Sequence, residues 1–139
     1  MFNELDTYAE SHNLNTQNII KGVCLDTRIG DYYNNSSFGY GGYYFPKDTK
    51  QIKANYLNIH NNLIIAIVQS NQTCKDFITH QILDRKSNVV GIYRLVMKED
   101  SDNFKKSAVF DIIDKLVKSN VKVIVYEQIL KLLIIILLK

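Results

Sequence analysis

The stretch with the clearest chemical character is "SFGYGGYYFPKD", residues 37–48, which carries three of the six glycines of the chain. Gly39, Gly41 and Gly42 permit positive φ angles and a close approach of the backbone to a ligand. Pro46 fixes φ just ahead of a predicted helix. The pattern is typical both of a loop that binds a small ligand and of an ordinary tight turn, and the spacing does not distinguish the two.

A second candidate is the polar stretch "YRLVMKEDSDNFKKS", which follows a predicted strand. In open α/β sheets, ligands bind beyond the carboxyl ends of the strands, where helix N-termini point at anions. Lys98, Lys105 and Lys106 could pair with phosphates there, and the alternative is a solvated turn with three lysines. The whole chain lacks the glycine-rich dinucleotide-binding motif.

The histidines and cysteines indicate no metal centre. His12, His60 and His80 are far apart and lack the spacing of metal ligands. Cys24 falls on an apolar helical position, and Cys74 has a neighbouring lysine but no identifiable general base. Both cysteines are therefore predicted to be structural.

The elements that position the glycine-rich loop are predicted to be helices. One helix starts near residue 2, and a shorter one, "NTQNIIKGVC", can be capped by Asn15 or Thr16. After the loop at residues 31–48, Asp48 or Thr49 is predicted to cap a third helix. The fourth helix, from "NNLIIAIV" onwards, carries an apolar stripe that is predicted to be buried, composed of Leu63, Ile64, Ile67, Val68, Ile78 and Ile82.

The second part of the chain has the pattern of a βαβ unit. The strand "SNVVGIYRLVM", the amphipathic helix "AVFDIIDKLVKSN" and the strand "VKVIVYE" follow one another, which predicts a parallel pair of strands. The predicted fold is α/β, with a helical segment at 1–86, the start of a Rossmann-like domain at 87–127 and an apolar tail at 128–139. Because a doubly wound sheet has about five or six strands, a domain with two is predicted to be incomplete.

Composition narrows the functional classes. Hydrophobic content of 46% and charged content of 22% are normal for a globular protein. The net charge of +3 with scattered lysines favours a solvated surface over a nucleic-acid interface. Two cysteines and no signal peptide lead us to expect a reducing cytoplasm. The tail "ILKLLIIILLK" is too short for a spanning helix of about 20 residues, so we expect no membrane insertion, but a tendency to aggregate.

The loop and its flanks resemble a known family. "GYGGYYFPKDTKQIKANY" is similar to the active-site segment of the UDP-glucose 6-dehydrogenases, in the UDP-glucose/GDP-mannose dehydrogenase family, where a catalytic cysteine stands in "GGxCFPKDT". "FNELDTYAE", "DTRIGDYYNNSSFGYGG", "AIVQSNQTCKDFI" and "VVGIYRLVMKEDSDNFKKSA" resemble the bacterial capsule-type members. The resemblance runs from about residue 2 to residue 127.

The resemblance implies an NAD-dependent, two-step oxidation of UDP-glucose to UDP-glucuronate through a thiohemiacetal and a thioester on the cysteine. It also implies an N-terminal NAD-binding Rossmann domain, a central helical segment that forms a homodimer, and a C-terminal UDP-binding domain. By the same resemblance, Tyr33, Ser37 and Gly41 would line the sugar pocket. Arg28 would reach the substrate of the partner subunit.

Three further roles come from the resemblance. Asp48 would be the acidic group near the water or general base, Lys98 would contact the substrate, and Lys105 would stand where the family usually has an arginine that contacts the NAD pyrophosphate. A lysine there loses the bidentate geometry of the guanidinium.

The sequence departs from the family at the reactive position itself, because Tyr44 occupies the place of the cysteine. A phenol with a pKa near 10 is a poor nucleophile at neutral pH and has no sulfur for a thioester. The NAD-binding domain and the segments after Glu127 also have no counterpart in these residues. Three hypotheses follow: a fragment that is inactive alone, a dimerisation or UDP-sugar-binding module, and a degraded gene product that does not fold stably.

Overall fold

The computed structural model describes residues 1–41, 44–56, 59–95, 107–127 and 132–136, of which Tyr44 and 132–136 are described as backbone only. Lys98, Lys105 and Lys106 lie outside these ranges. The helices and strands, in chain order, are α1 (Phe2–Ser11), α2 (Thr16–Cys24), α3 (Tyr44–Asn55), α4 (Asn62–Asp84), β1 (Val89–Tyr93), α5 (Ala108–Lys118), β2 (Lys122–Glu127) and β3 (Leu132–Ile136).

The start of the second helix is as predicted. The side chain of Asn15 accepts a hydrogen bond of 3.0 Å from the backbone N–H of Asn18, so Asn15 is the N-cap of α2. The helix ends at Cys24 rather than near Gly30, and a series of turns leads from there to the glycine-rich loop.

The predicted start of the third helix is wrong. Helix α3 begins at Tyr44, so Pro46, Asp48 and Thr49 lie inside its first turns and neither Asp48 nor Thr49 is a cap. Proline is tolerated in the first turn, where backbone N–H groups have no partner within the helix. The hydroxyl of Thr49 donates to the carbonyl of Phe45 at 2.8 Å, within the helix.

Helix α4 is the long central element, and its predicted apolar stripe is only partly correct. Leu63 is 73% exposed, whereas the fully buried residues of the helix are Cys74, Lys75 and Thr79. Ile78 and Ile82 pack against the hydrophobic core that surrounds α5. The carboxyl-terminal half of α4 therefore contributes more to the core than its more apolar start.

The βαβ unit is confirmed. Strands β1 and β2 pair in parallel, from Val89 opposite Lys122 to Tyr93 opposite Tyr126. Ser107 caps α5, and one face of that helix is buried against the strands. The core cluster consists of Leu95, Val109, Ile112, Ile113, Leu116, Val121, Val123 and Val125. A helical segment followed by an α/β unit is thus the fold that the sequence predicts.

The prediction of a two-stranded sheet is wrong. Strand β3 pairs antiparallel with β2, from Val123 opposite Ile136 to Glu127 opposite Leu132, and gives the sheet order β1-β2-β3. The sequence of β3, "LLIII", is rich in β-branched residues, which favour extended backbone. Part of the tail predicted at 128–139 is therefore a strand of the sheet.

Candidate functional site

The glycine-rich loop is held by side chains from three helices. Asn3 in α1 accepts a hydrogen bond of 2.9 Å from the backbone N–H of Ser37. The side chain of Asn34 donates to the Cys24 sulfur at 3.5 Å, and the thiol of Cys74 in α4 donates to the carbonyl of Ser37 at 3.7 Å. These contacts connect the part of the loop at residues 34–37 to helices α1, α2 and α4.

The next part of the loop is bound by Asn71, in the middle of α4. Its side-chain oxygen accepts from the backbone N–H of Tyr40 at 2.8 Å, and its side-chain nitrogen donates to the carbonyl of Tyr40 at 3.1 Å. The phenol of Tyr40 lies 3.4 Å from the carbonyl of Ile67, and its ring contacts Phe45 edge-on with centroids 4.7 Å apart. Tyr40 thus joins the loop, α3 and α4.

A cleft of about 510 Å³ opens beside this contact, between α3, α4 and the start of α5. Gly41 is part of its wall, and three lysines, Lys47, Lys50 and Lys75, also line it. Lys75 is buried and forms an ion pair with Asp111, which also lines the cleft. The cleft combines a glycine backbone, cations and the N-terminus of a helix, an arrangement that suits an anionic ligand. Its lining residues are Tyr40, Gly41, Pro46, Lys47, Lys50, Val68, Asn71, Gln72, Lys75, Ser107, Ala108, Phe110 and Asp111.

A second cavity, of about 410 Å³, lies on the other side of α4 and includes Ser37, Cys74 and Arg85. Burial, together with the carboxylates of Asp6 and Glu10, raises the pKa of the Cys74 thiol. At neutral pH this sulfur is a protonated hydrogen-bond donor rather than a nucleophile. The prediction that Cys74 is structural agrees with this geometry.

The structure brings few of the predicted site residues together. Gly41 lines the first cleft, whereas Ser37 lines the second cavity. Tyr33 is 99% exposed on a turn at the start of the loop, and Asp48 is exposed on α3 and lines neither cavity. Lys98 and Lys105 are outside the described residues, and of Tyr44 only the backbone is described.

Arg28 is exposed and is held by its own turn. Its side chain donates to both carboxylate oxygens of Asp26, at 3.0 and 2.5 Å, and its backbone N–H donates to the same carboxylate at 2.9 Å. These hydrogen bonds lower the pKa of Asp26 below its ordinary value and raise that of Arg28. Arg28 lines neither cavity, and Asp26 holds its guanidinium on the surface.

Two residues of the cleft were not predicted. Asn71 and Lys75 stand in the middle of a helix whose sequence signals burial, and each makes its contact with a residue more than 30 positions away. The available signal was a polar or charged residue that interrupts the apolar positions of an otherwise buried helix. That signal marks such residues for attention but does not identify their partners.

The described residues contain no glycine-rich turn of the kind that binds a dinucleotide. At the carboxyl ends of β1 and β2, the buried carboxylate of Glu127 accepts a hydrogen bond of 2.7 Å from the backbone N–H of Leu95, and the described residues at this edge include no glycine. Within the same described ranges no three metal-ligating side chains cluster, and no helix has the length and apolar character that crossing a bilayer requires.

Comparisons of this chain with a family model and with known proteins identify the same family of dehydrogenases. The family model for the central domain of the UDP-glucose/GDP-mannose dehydrogenases matches residues 1–73. A UDP-glucose 6-dehydrogenase of Campylobacter jejuni is 58% identical over 132 residues, and one of Streptococcus pneumoniae is 56% identical over 126 residues. These alignments cover 94% and 91% of this chain but only 34% and 32% of the relatives, so the chain spans about a third of their length.

The solved structures include a similar fold. A GDP-mannose dehydrogenase from Pseudomonas aeruginosa, crystallised as a ternary complex, superposes with a TM-score of 0.64 over 91% of this chain and 30% of the other. The sequence identity is 19%, so this similarity concerns the fold. It agrees with a central helical segment followed by part of a Rossmann-like unit.

Proposed function

Because the chain belongs to the UDP-glucose/GDP-mannose dehydrogenase family, we propose that it forms the glycine-loop wall of a UDP-glucose site and that these 139 residues alone do not oxidise the sugar. The observation that carries the proposal is the loop itself, which Asn71 holds at Tyr40 so that Gly41 lines a cleft with three lysines. The close relatives named UDP-glucose 6-dehydrogenases support the choice of substrate.

The proposed lack of turnover rests on the residue at position 44. In the family pattern this place belongs to a cysteine, whose sulfur carries the substrate between two oxidations, and here it is Tyr44. A protonated phenol cannot form the thioester that the second oxidation requires. We therefore assign Tyr44 no covalent role.

The remaining roles are proposed from the resemblance. Arg28, Tyr33, Ser37, Gly41 and Lys98 would contact UDP-glucose, and Asp48 would act on water near the reacting carbon. Lys105 would contact NAD, and the rest of that cofactor's site would come from outside the described residues. We also propose the domain limits 1–86 for the central helical segment and 87–127 for the start of the UDP-binding domain. The proposed setting is the bacterial cytoplasm, in the supply of sugars for capsule polysaccharide.

Isothermal titration calorimetry with UDP-glucose tests the binding role. We expect the wild-type chain to bind UDP-glucose, and Gly41→Val to weaken binding by about tenfold or more, because a branched side chain would occupy the wall of the cleft. Gly22→Ala is the matched control, since a methyl group there meets nothing within 4 Å. Absence of binding by the wild type, or equal affinity of Gly41→Val, would contradict the proposal.

A second candidate function is self-association through the helical segment. The turn after α2 exposes Leu25, Ile29, Tyr32 and Tyr33 around Arg28, an apolar surface typical of a protein interface. We propose that this surface contacts a second copy, or forms mixed dimers with a full-length relative. Sedimentation of the wild type and of Leu25→Asp tests it, together with the activity of the Campylobacter jejuni enzyme after mixing. A monomeric wild type and unchanged enzyme activity would count against this function.

A further inference from the structure

Both polar atoms of the Asn71 side chain bond to one residue of the loop. It forms a pair of hydrogen bonds with Tyr40, one to the backbone N–H at 2.8 Å and one from its own nitrogen to the carbonyl at 3.1 Å. A side-chain amide that meets both backbone groups of one residue fixes the orientation of that peptide segment, as a neighbouring strand would. The residue after Tyr40 is Gly41, which lines the cleft.

Gly39 is the structural counterpart of Asn71 within the loop. Its φ is +108°, a conformation that residues with a side chain rarely adopt, and a Cβ atom at this position would lie 2.5 Å from the Asn71 side-chain oxygen. The amide can therefore reach Tyr40 only because residue 39 has no side chain. The contact between Asn71 and Tyr40 therefore requires a glycine at position 39.

We propose that Asn71 is a positioning residue, which sets the affinity of the cleft for a nucleotide sugar by fixing the backbone of residues 39–41. This inference rests on the proposed UDP-glucose site and adds the residue that shapes it. Both polar atoms of the amide bond to Tyr40, and the role assigned to Asn71 is this contact with the loop. A loop that is already ordered before binding loses less conformational entropy when the ligand binds, which increases the affinity.

The test that needs no ligand is amide hydrogen exchange at Tyr40. We expect Asn71→Ala to increase the exchange rate of this amide by about tenfold, because its acceptor is removed, while amides of α5 keep their rates. Thr73→Ala is the matched control: Thr73 lies on the same helix, lines neither cavity, and its hydroxyl donates to the carbonyl of Gln69 rather than to the loop. An unchanged rate at Tyr40 in Asn71→Ala would overturn the proposal.

Gly39→Ala tests the same contact from the loop side and serves if Asn71→Ala fails to fold. We expect it to increase the exchange rate of Tyr40 as Asn71→Ala does, and the double variant to exchange no faster than either single variant, because both remove one contact. If the two substitutions increase the exchange rate of Tyr40 additively in the double variant, they do not act on the same contact, and the proposal is contradicted.

UDP-glucose affinity, measured on the same variants, completes the test. We expect a loss of about tenfold for Asn71→Ala and a change within about twofold for Thr73→Ala. A loss of affinity without faster exchange at Tyr40 would show a direct contact and overturn the positioning role. If the wild type does not bind UDP-glucose, the proposed function fails; if exchange depends on Asn71 but affinity does not, only the positioning inference fails.

Discussion

Lys75 and Asp111 form an ion pair whose two partners are buried to different extents. The Lys75 side chain is 8% exposed, whereas that of Asp111 is 56% exposed. Removing Asp111 leaves an ammonium group buried without its partner. Removing Lys75 leaves a carboxylate that water can reach. The two deletions of one pair should therefore have unequal effects on the free energy of unfolding.

The magnitudes follow from these exposures. Removing one partner of a fully buried ion pair costs about 3–5 kcal/mol. Because Asp111 is partly exposed, we expect Asp111→Ala to lower the free energy of unfolding by less, about 2–3 kcal/mol. Lys75→Met keeps an apolar stem of similar length and leaves an exposed carboxylate, so we expect a loss of about 1 kcal/mol or less. The matched control is Asp114→Ala, because Asp114 pairs with Lys118 at 2.6 Å on the exposed side of α5. That pair contributes about 0.5 kcal/mol.

Urea denaturation followed by far-ultraviolet circular dichroism measures these differences. Because both aspartates are replaced by alanine in the same helix, the gain in helix propensity largely cancels between Asp111→Ala and its control. If Lys75→Met destabilises the chain as much as Asp111→Ala does, the asymmetry argument is refuted. A cooperative wild-type transition in a soluble monomer would also exclude the hypothesis that the chain does not fold stably.

Three further predictions concern the core, the acid range and the thiols. Leu116→Ala removes a fully buried core side chain and should cost about 2–5 kcal/mol in the same urea assay. The hydrogen bond from Lys115 lowers the pKa of Asp76 in the folded chain. The stability that this interaction contributes is therefore fully present above the unfolded-chain pKa of about 3.9 and is lost as the pH falls through the lower folded value. We expect Asp76→Asn to lose less stability between pH 4 and pH 2 than the wild type. Because burial raises the pKa of Cys74, iodoacetamide should label the half-buried Cys24 first, as peptide mass spectrometry will show.

The parts of the fold that follow from local sequence were predicted correctly. The cap at Asn15, the amphipathic pattern of α5 and the β-branched runs of β1 and β2 are each encoded within a few residues. The start of α3 was predicted wrongly because Asp48 and Thr49 suit a cap but are also compatible with a helix interior. Local patterns alone could not decide between those positions.

Features that depend on contacts between residues far apart in the chain could not be predicted from the sequence. Strand β3 arises because an apolar segment pairs with β2, and the same composition was equally compatible with an unpaired tail. The contact of Asn71 with Tyr40 joins residues 31 positions apart, and that of Lys75 with Asp111 joins residues 36 apart. The family pattern identified the loop, but the side chains that hold it became evident only from the fold.

We propose that this loop belongs to a UDP-glucose site and that, with Tyr44 in the place of the family's cysteine, it lacks the sulfur that the oxidation requires. The most direct measurement is NADH absorbance after the purified chain is mixed with UDP-glucose and NAD. We predict no NADH above the blank, and none for Tyr44→Cys either, because these 139 residues contain no glycine-rich dinucleotide-binding motif. Steady NADH production by the unaltered chain would contradict the account.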